Sequence, residues 1–465
     1  MNIPRLMIAG TQSGSGKTTL STAVMAALTA RGVIVQPFKV GPDYIDPGYH
    51  TAATGRASRN LDAWFLGESG VREVFQRASA GAGLCLIEGV MGLYDGRGAG
   101  DEGSSAQVAR ILDCPVVLVL DARSMARSAA AVILGFKNMD PRVNLAGVIL
   151  NRVGSQRHFE LLKDAVGEVC GIPVLGGVMH SPGAGVPERH LGLLPVTEKK
   201  QLAGYLASLA HEVAGQLDLD LLLKVAAAAP GFLEEEPQIF PREPAPPLVR
   251  LGLIQDEAFS FYYRDGLDLL EALGAELVTC SALRDGQLPP GLHGLYIGGG
   301  FPEMFLPELS ANRPFMDSVI RLARGGAPVY AECGGLIYLS RAAGDLEGRE
   351  YPLVGLVPGR CRMEQRRVAL GYVEALALAD NILVPAGTVL RGHEFHYSSL
   401  EPEGEPSPAY MLSKLGGAGR PDGYVRGNLL TSYLHLHLAG HPGAARGLIH
   451  SCLRYKEQNS APSES

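Results

Sequence analysis

Cys333 stands where an apolar, β-rich run, Ala327-Pro328-Val329-Tyr330-Ala331-Glu332, gives way to Gly334-Gly335 and a helix-like segment, Leu336-Ile337-Tyr338-Leu339. A strand that turns into a helix through glycines can present a nucleophile, because glycine tolerates a backbone too tight for a Cβ atom. The N-terminus of the following helix would favour a thiolate through its N–H groups and its dipole. A second strand, Gly294-Leu295-Tyr296-Ile297, ends in Gly298-Gly299-Gly300. Backbone N–H groups in such a run can form an oxyanion hole. The base that a cysteine nucleophile requires has two candidates in Thr431-Ser432-Tyr433-Leu434-His435-Leu436-His437.

A different chemistry is written at the other end of the chain. Gly10-Thr11-Gln12-Ser13-Gly14-Ser15-Gly16-Lys17-Thr18-Thr19 follows the strand Leu6-Met7-Ile8-Ala9 and opens a helix predicted over Leu20 to Ala30. Gly14, Ser15, Gly16, Lys17, Thr18 and Thr19 then form a phosphate cradle in which Lys17 reaches the β and γ phosphates of ATP and the Thr18 hydroxyl ligates Mg²⁺. Acids follow on two strand-end loops: Asp43 and Asp46, with Lys39 and His50, and then Glu88 and Asp95. Strand carboxyl ends of a parallel sheet converge on the phosphate loop, so Glu88 is expected beside Thr18. Magnesium takes oxygen ligands, and Thr18, Asp46 and Glu88 with ATP oxygens make a suitable shell. Lys39 is expected to join Lys17 in stabilising the transferred phosphoryl group. Asn151 closes a further strand, Ala146-Gly147-Val148-Ile149-Leu150. Its amide suits either an adenine edge or a helix cap, and both readings stay open.

These two chemistries must be carried by separate domains, and 465 residues with a 46% hydrophobic fraction suffice for two sizeable cores. Strands alternate with helical patterns on both sides of a proline-rich stretch, which predicts an α/β protein of two tandem three-layer αβα domains. The expected boundaries are a domain carrying the phosphate loop at 1–228, a linker at 229–247, a domain carrying the Cys333 elbow at 248–456 and a disordered tail at 457–465. A net charge of -7 with no basic block excludes a nucleic-acid partner. No apolar run reaches the roughly 18 residues that span a bilayer, and no signal-peptide pattern precedes the first strand. Seven scattered cysteines without paired spacing fit a reducing cytoplasm.

The Cys333 elbow, the glycine run and the histidine segment resemble the triad (class I) glutamine amidotransferases, in the branch fused to cobyrinate a,c-diamide synthases. The phosphate loop resembles those of dethiobiotin synthetase and of the same diamide synthases. Phe38-Lys39-Val40-Gly41-Pro42-Asp43-Tyr44-Ile45-Asp46-Pro47 and Glu88-Gly89-Val90-Met91-Gly92-Leu93-Tyr94-Asp95 match signatures of that family. So do Arg59-Asn60-Leu61-Asp62, Glu188-Arg189-His190-Leu191-Gly192-Leu193, Asp256 to Tyr263 and Arg391 to Ser398. The resemblance implies a glutaminase in which Cys333 attacks the glutamine amide and His435 relays the proton, with His437 in reserve. It also implies a synthetase that amidates the a and c acetates of cobyrinate through acyl phosphates, with Asp43, Asp46, Glu88 and Asp95 as its acids. Arg59, Arg189, His190 and His50 become anchors for a polycarboxylate, and a second copy of the chain is the candidate protein partner. One departure matters: most triad amidotransferases follow the histidine with Pro-x-Glu, whereas Leu436-His437 follows here. That predicts a weakly oriented imidazole and a Cys333–His435 dyad. Hydrogenobyrinate or nickel sirohydrochlorin as substrate, and a P-loop ATPase switch whose amidotransferase domain only binds partners, are the competing expectations.

Overall fold

The computed structural model describes residues 2–179, 199–232, 234, 236–405, 407–414 and 417–460. Contacts divide the chain into two compact units, Met1–Glu236 and Pro237–Ser465. The first unit contains strands β1 (Arg5–Gly10), β2 (Val35–Val40), β3 (Arg59–Leu61), β4 (Leu84–Gly92), β5 (Val116–Asp121), β6 (Leu145–Val153) and β7 (Val174–Met179). Between and after them come α1 (Lys17–Ala30), α2 (Asp46–Thr54), α3 (Ala63–Ala78), α4 (Ser105–Ile111), α5 (Ser128–Met139), α6 (Gln156–Cys170), α7 (Lys199–Ala214) and α8 (Leu219–Ala227).

The strands form one parallel sheet in the order β3-β2-β4-β1-β5-β6-β7. Their sequences explain why: runs such as Leu6-Met7-Ile8-Ala9 and Val116-Val117-Leu118-Val119 are apolar on both faces, and both faces are covered. Leu6, Ile8, Val117 and Val119 share a core with Leu20 and Val24 of α1 and with residues of α7 and α8. On the opposite face Leu120, Val148 and Leu150 pack against Ile133 of α5 and Leu162 of α6. From β1 the chain moves out to β2 and β3 and then returns through β4 before crossing to β5. The β1–α1 loop therefore lies where strand order reverses, the crevice in which open α/β sheets bind ligands.

The second unit has β8 (Val249–Ile254), α9 (Arg264–Ala272), β9 (Ala275–Cys280), β10 (Gly294–Ile297), α10 (Leu306–Ala311), α11 (Arg313–Arg324), β11 (Val329–Glu332) and α12 (Gly334–Leu339). Strands β12 (Ser340–Gly344), β13 (Glu350–Pro352), β14 (Val357–Met363), β15 (Ala369–Ala377), β16 (Val389–His396), β17 (Ser398–Pro402), β18 (Tyr410–Ser413), β19 (Arg420–Asp422), β20 (Tyr424–Arg426), β21 (Leu429–Ser432) and β22 (His435–Leu436) follow, and α13 (Pro442–Ser460) closes the unit. A six-stranded sheet, β20-β21-β11-β10-β8-β9, is parallel except for β20. Two more sheets, β13-β12-β14-β17 and β19-β18-β15-β16-β22, are added to this α/β frame. Their strands alternate buried and exposed residues, as in β16, and so lack the continuous apolar signal of the parallel strands.

Between Ala228 and Leu248 no described residue is helical or extended in a sheet, as the proline content predicts. This stretch is nevertheless packed rather than a bare spacer. Phe232 lies 5.3 Å from the Phe75 ring, the Pro230 carbonyl accepts a 2.9 Å bond from Arg5, and Ile239 and Phe240 are buried. At the other end α13 continues through residues 457–460, where the sequence predicts the start of a disordered tail. Among the described residues no helix is long and apolar enough to cross a membrane.

Candidate functional sites

The phosphate loop is shaped by side-chain-free positions. Gly14 and Gly16 have φ of 74° and 94°, values that favour glycine, and a Cβ on Gly16 would fall 2.2 Å from Asn151 Nδ2. Asn151 at the end of β6 donates from Nδ2 to the Ser15 carbonyl at 2.8 Å, so its amide braces the loop from the neighbouring strand. Arg152, itself at φ 57°, donates to the Gly14 carbonyl at 2.9 Å and pairs with Asp121 at 2.5 Å. This second brace has no signature in the sequence. Lys17 is buried and donates to the Gln12 carbonyl at 3.3 Å. Burial first, and then Lys39, lowers its pKa to about 8, so the loop holds a poorly solvated cation that an incoming phosphate would stabilise.

Glu88 and Asp46 meet at Thr18 of α1. Thr18 Oγ1 donates to Glu88 Oε1 at 2.6 Å and to Asp46 Oδ2 at 3.1 Å. Lys39 Nζ lies 2.5 Å from Asp46, 2.8 Å from Glu88 and 3.9 Å from Asp43. Burial would raise the Glu88 carboxyl, but Lys39 and His50 outweigh it and hold its pKa below the usual range. Burial likewise opposes the charge on Lys39, and Asp46 and Glu88 overcome it, so the ammonium persists. Asp46, with burial dominating over Lys39, is pushed up to about 7.

Asp43 works on the backbone: its Oδ1 accepts from Ile45 N and Asp46 N at 2.8 and 3.0 Å, fixing the first residue of α2 where Asp46 sits. Asn60 on β3 holds the same loop by donating to the Gly41 and Asp43 carbonyls. Asp95 is exposed, and its Oδ2 accepts from Gly92 N at 2.8 Å at the end of β4. One expectation is corrected. His50 is fully buried with Nε2 2.6 Å from Glu88 Oε2, so it orients that carboxylate and has no surface from which to anchor a polycarboxylate. Glu188 to Leu193, with Arg189 and His190, lie outside the described residues.

Among the described residues no cluster of three or more His, Cys, Asp or Glu side chains has the arrangement of a metal site. The donor set at Thr18 still suits magnesium. A hydroxyl and two carboxylates offer hard oxygens within hydrogen-bond reach of one another, and magnesium ordinarily completes its shell with phosphate oxygens and water.

In the second unit Cys333 is held at φ 46° and ψ -98° between β11 and α12. A non-glycine residue in that region is a strained elbow of the kind found at functional sites. Close packing forces the glycines around it: a Cβ on Gly334 would lie 2.9 Å from Pro302 and 3.0 Å from Gly300 N, and one on Gly335 would lie 2.7 Å from the Ile297 carbonyl. The glycine run is thereby pressed against the elbow. Gly298 N donates to the Tyr262 hydroxyl at 2.7 Å, so of the run only Gly299 and Gly300 are candidates for oxyanion donors.

The predicted thiolate is corrected. Burial first, then the carboxylates of Glu303 and Glu332, push the Cys333 thiol well above its ordinary pKa, and the Gly334 N–H opposes them only in part. The resting residue is a thiol that needs a base. His435 brings an imidazole against the run, where a Cβ on Gly299 would sit 2.4 Å from its Cε1. His437 is turned away into a stack on Tyr263 at 4.5 Å, and burial lowers its pKa to about 3. The segment Arg391 to Ser398 belongs to this site as well: the Phe395 carbonyl is 3.7 Å from Cys333 Sγ, and His393 is the cross-strand partner of His435.

Residues 6–190 match the family model described as the CobQ/CobB/MinD/ParA nucleotide binding domain, and 250–443 match the CobB/CobQ-like glutamine amidotransferase domain. The chain is 46% identical to the cobyrinate a,c-diamide synthase of Dehalococcoides mccartyi, over 97% of this chain and 98% of that relative. The chain belongs to the cobyrinate a,c-diamide synthase family. It is also 44% identical to the hydrogenobyrinate a,c-diamide synthase of Streptomyces coelicolor, with 97% and 98% covered. With the cobyrinate a,c-diamide synthase of Priestia megaterium it shares 42% identity over 98% of this chain and 99% of that one.

Two residues to which the sequence assigned no role lie against this site: Tyr262, which holds the first glycine of the run, and Glu332, whose Oε2 is 3.6 Å from His435 Nδ1. Tyr262, half-buried, stands edge-on to the buried Tyr296 at 5.1 Å, with Tyr296 stacked on Tyr330 at 4.9 Å. The Gly299 contact gives a direct test. Gly299→Ala should displace the His435 ring and lower glutamine-dependent turnover by about 10²-fold, the scale of a one-ångström misplacement. Ammonium-dependent synthesis, measured on the same preparation, should stay at the wild-type rate.

Proposed function

We propose that this chain is an ATP- and glutamine-dependent ligase that amidates the a and c acetate carboxylates of cobyrinate in cobalamin biosynthesis. The observation that carries the reading is near-full-length similarity to diamide synthases in a chain that keeps both a Lys17–Thr18–Glu88 phosphate site and a Cys333 elbow.

In the first unit the substrate carboxylate attacks the γ-phosphorus of ATP, and an acyl phosphate and ADP result. Carboxylate oxygen is a poor leaving group and phosphate a good one, so ammonia can then displace phosphate to leave the amide. Lys17 and Lys39 bring two ammonium groups to the charge on the transferred phosphoryl. Thr18, Asp46 and Glu88 would hold the Mg²⁺ that neutralises the phosphates. His50 fixes the second oxygen of Glu88, and Asp43 with Asn60 fixes the loop that carries Asp46. In the second unit Cys333 attacks the glutamine amide carbon, His435 takes the thiol proton and returns it to the departing ammonia, and water hydrolyses the thioester to glutamate.

The test is mass spectrometry of products from cobyrinate, hydrogenobyrinate and nickel sirohydrochlorin, each with ATP, Mg²⁺ and either glutamine or ammonium. Two successive amidations of cobyrinate are expected. The name of the Streptomyces relative makes the metal-free hydrogenobyrinate the second substrate to be weighed. ATP turnover without any amide formed from the panel would overturn the reading in favour of an ATPase switch. Light scattering in the same buffer reads whether two copies associate.

One site must amidate two acetates, so the macrocycle has to turn or rebind between steps. Asp95 is exposed beyond the strand end that carries Glu88 and is bonded to Gly92 rather than to the Thr18 cluster. Asp95→Asn is therefore expected to accumulate monoamide, whereas Glu88→Gln should depress both steps together. A time course in which the Asp95 variant slows both amidations equally would return this residue to loop structure alone.

A further inference from the structure

The sequence places no carboxylate two residues beyond His435, because His437 occupies that position. The fold brings one from another strand. Glu332 is the last residue of β11, immediately before the nucleophile, and is only 1% exposed. Its Oε2 is 3.6 Å from His435 Nδ1. Its other oxygen, Oε1, accepts from the Tyr330 hydroxyl at 2.5 Å and from Leu436 N at 3.1 Å.

This arrangement does more than place a charge near a ring. Leu436 is the residue after the base, so its bond to Glu332 ties the strand of the histidine to the residue before the cysteine. With Oε1 held by two donors, one of them carried on the Tyr296–Tyr330 stack, the side chain is fixed and Oε2 is the oxygen presented to the imidazole. A buried carboxylate is costly unless hydrogen-bonded and paired with a cation. An imidazolium formed at His435 during turnover would supply that cation.

Resting on the glutaminase reading above, we infer that Glu332 is the third member of a Cys333–His435–Glu332 triad, a positioning residue that orients His435 through Nδ1 and stabilises its imidazolium. Nε2 then takes the proton from Cys333 Sγ as sulfur bonds to the amide carbon of glutamine. The same nitrogen gives that proton to the nitrogen of the amide as the C–N bond breaks and ammonia leaves. Glu332 itself exchanges no proton. The expected Cys–His dyad is thus replaced by a triad whose acid precedes the nucleophile in the chain instead of following the base. Besides Cys333, the titratable groups that face His435 among the described residues include Glu332 on β11 and His393 on β16.

The experiment compares wild type, Glu332→Gln and Cys333→Ala in the full chain. Three readings are taken: glutamine hydrolysis, alkylation of Cys333 by the glutamine analogue 6-diazo-5-oxo-norleucine, and ammonium-dependent synthesis. Glu332→Gln is expected to lower kcat for glutamine hydrolysis by at least about 10²-fold, against the roughly 10⁴-fold that loss of the acid costs a serine-protease triad. The alkylation rate should fall in parallel, while KM for glutamine and the ammonium-dependent rate stay near wild type. A kcat within about threefold of wild type, or a loss confined to KM, would overturn the triad while leaving the glutaminase intact. Glutamine hydrolysis that survives Cys333→Ala would instead overturn the glutaminase reading on which the triad stands. Should Glu332→Gln fail to fold, Glu332→Asp keeps the charge and withdraws it by one methylene. A kcat loss at unchanged KM then supports the triad, and an unchanged kcat rejects it.

Discussion

Lys17→Ala is expected to remove amide synthesis with glutamine and with ammonium alike, by on the order of 10³-fold or more, the scale at which one cation acts on phosphoryl transfer. The lysine is the first residue of α1, buried at the mouth of the phosphate loop, and donates to the Gln12 carbonyl at 3.3 Å. Carboxylate activation precedes either nitrogen source, so changing the ammonia supply cannot rescue the variant. Basal glutamine hydrolysis needs no phosphate and should survive at a low level. Rates of ADP and amide formation from both nitrogen sources make the check, and near-normal ammonium-dependent synthesis would remove the phosphate-loop assignment.

Cys333→Ala should have an equally large effect on one nitrogen source and none on the other. The nucleophile is needed only to liberate ammonia, so glutamine-dependent synthesis should fall to background while saturating ammonium restores the wild-type rate. The elbow makes this substitution informative. Alanine removes only Sγ, and the φ of 46° is strained for either residue, so the neighbouring glycines and His435 keep their places. Equal loss of ammonium-dependent activity in a variant with unchanged circular dichroism would show that the two units do not divide the chemistry as proposed.

What the sequence by itself determined were the features encoded over short stretches. The phosphate loop, the acids at the ends of β2 and β4, and the strand–Cys333–glycine elbow are each contiguous, because a turn that must accept phosphate or strain a backbone demands particular residues within a few positions. The parallel sheets were legible for a related reason: strands buried on both faces are uniformly apolar. The β12 to β19 sheets were not, since half-exposed strands carry polar residues at every second place and resemble loops. Only the tertiary structure decided which distant groups meet. It turned His50 from a surface anchor into the partner of Glu88, and it gave Asn151 and Arg152 the bracing of Ser15 and Gly14. It also set His435 against Gly299 while burying His437, and it brought Glu332 across from β11 to the base. Each of these depends on strand order and register, which arise when whole sheets pack, so no local pattern of residues could have announced them.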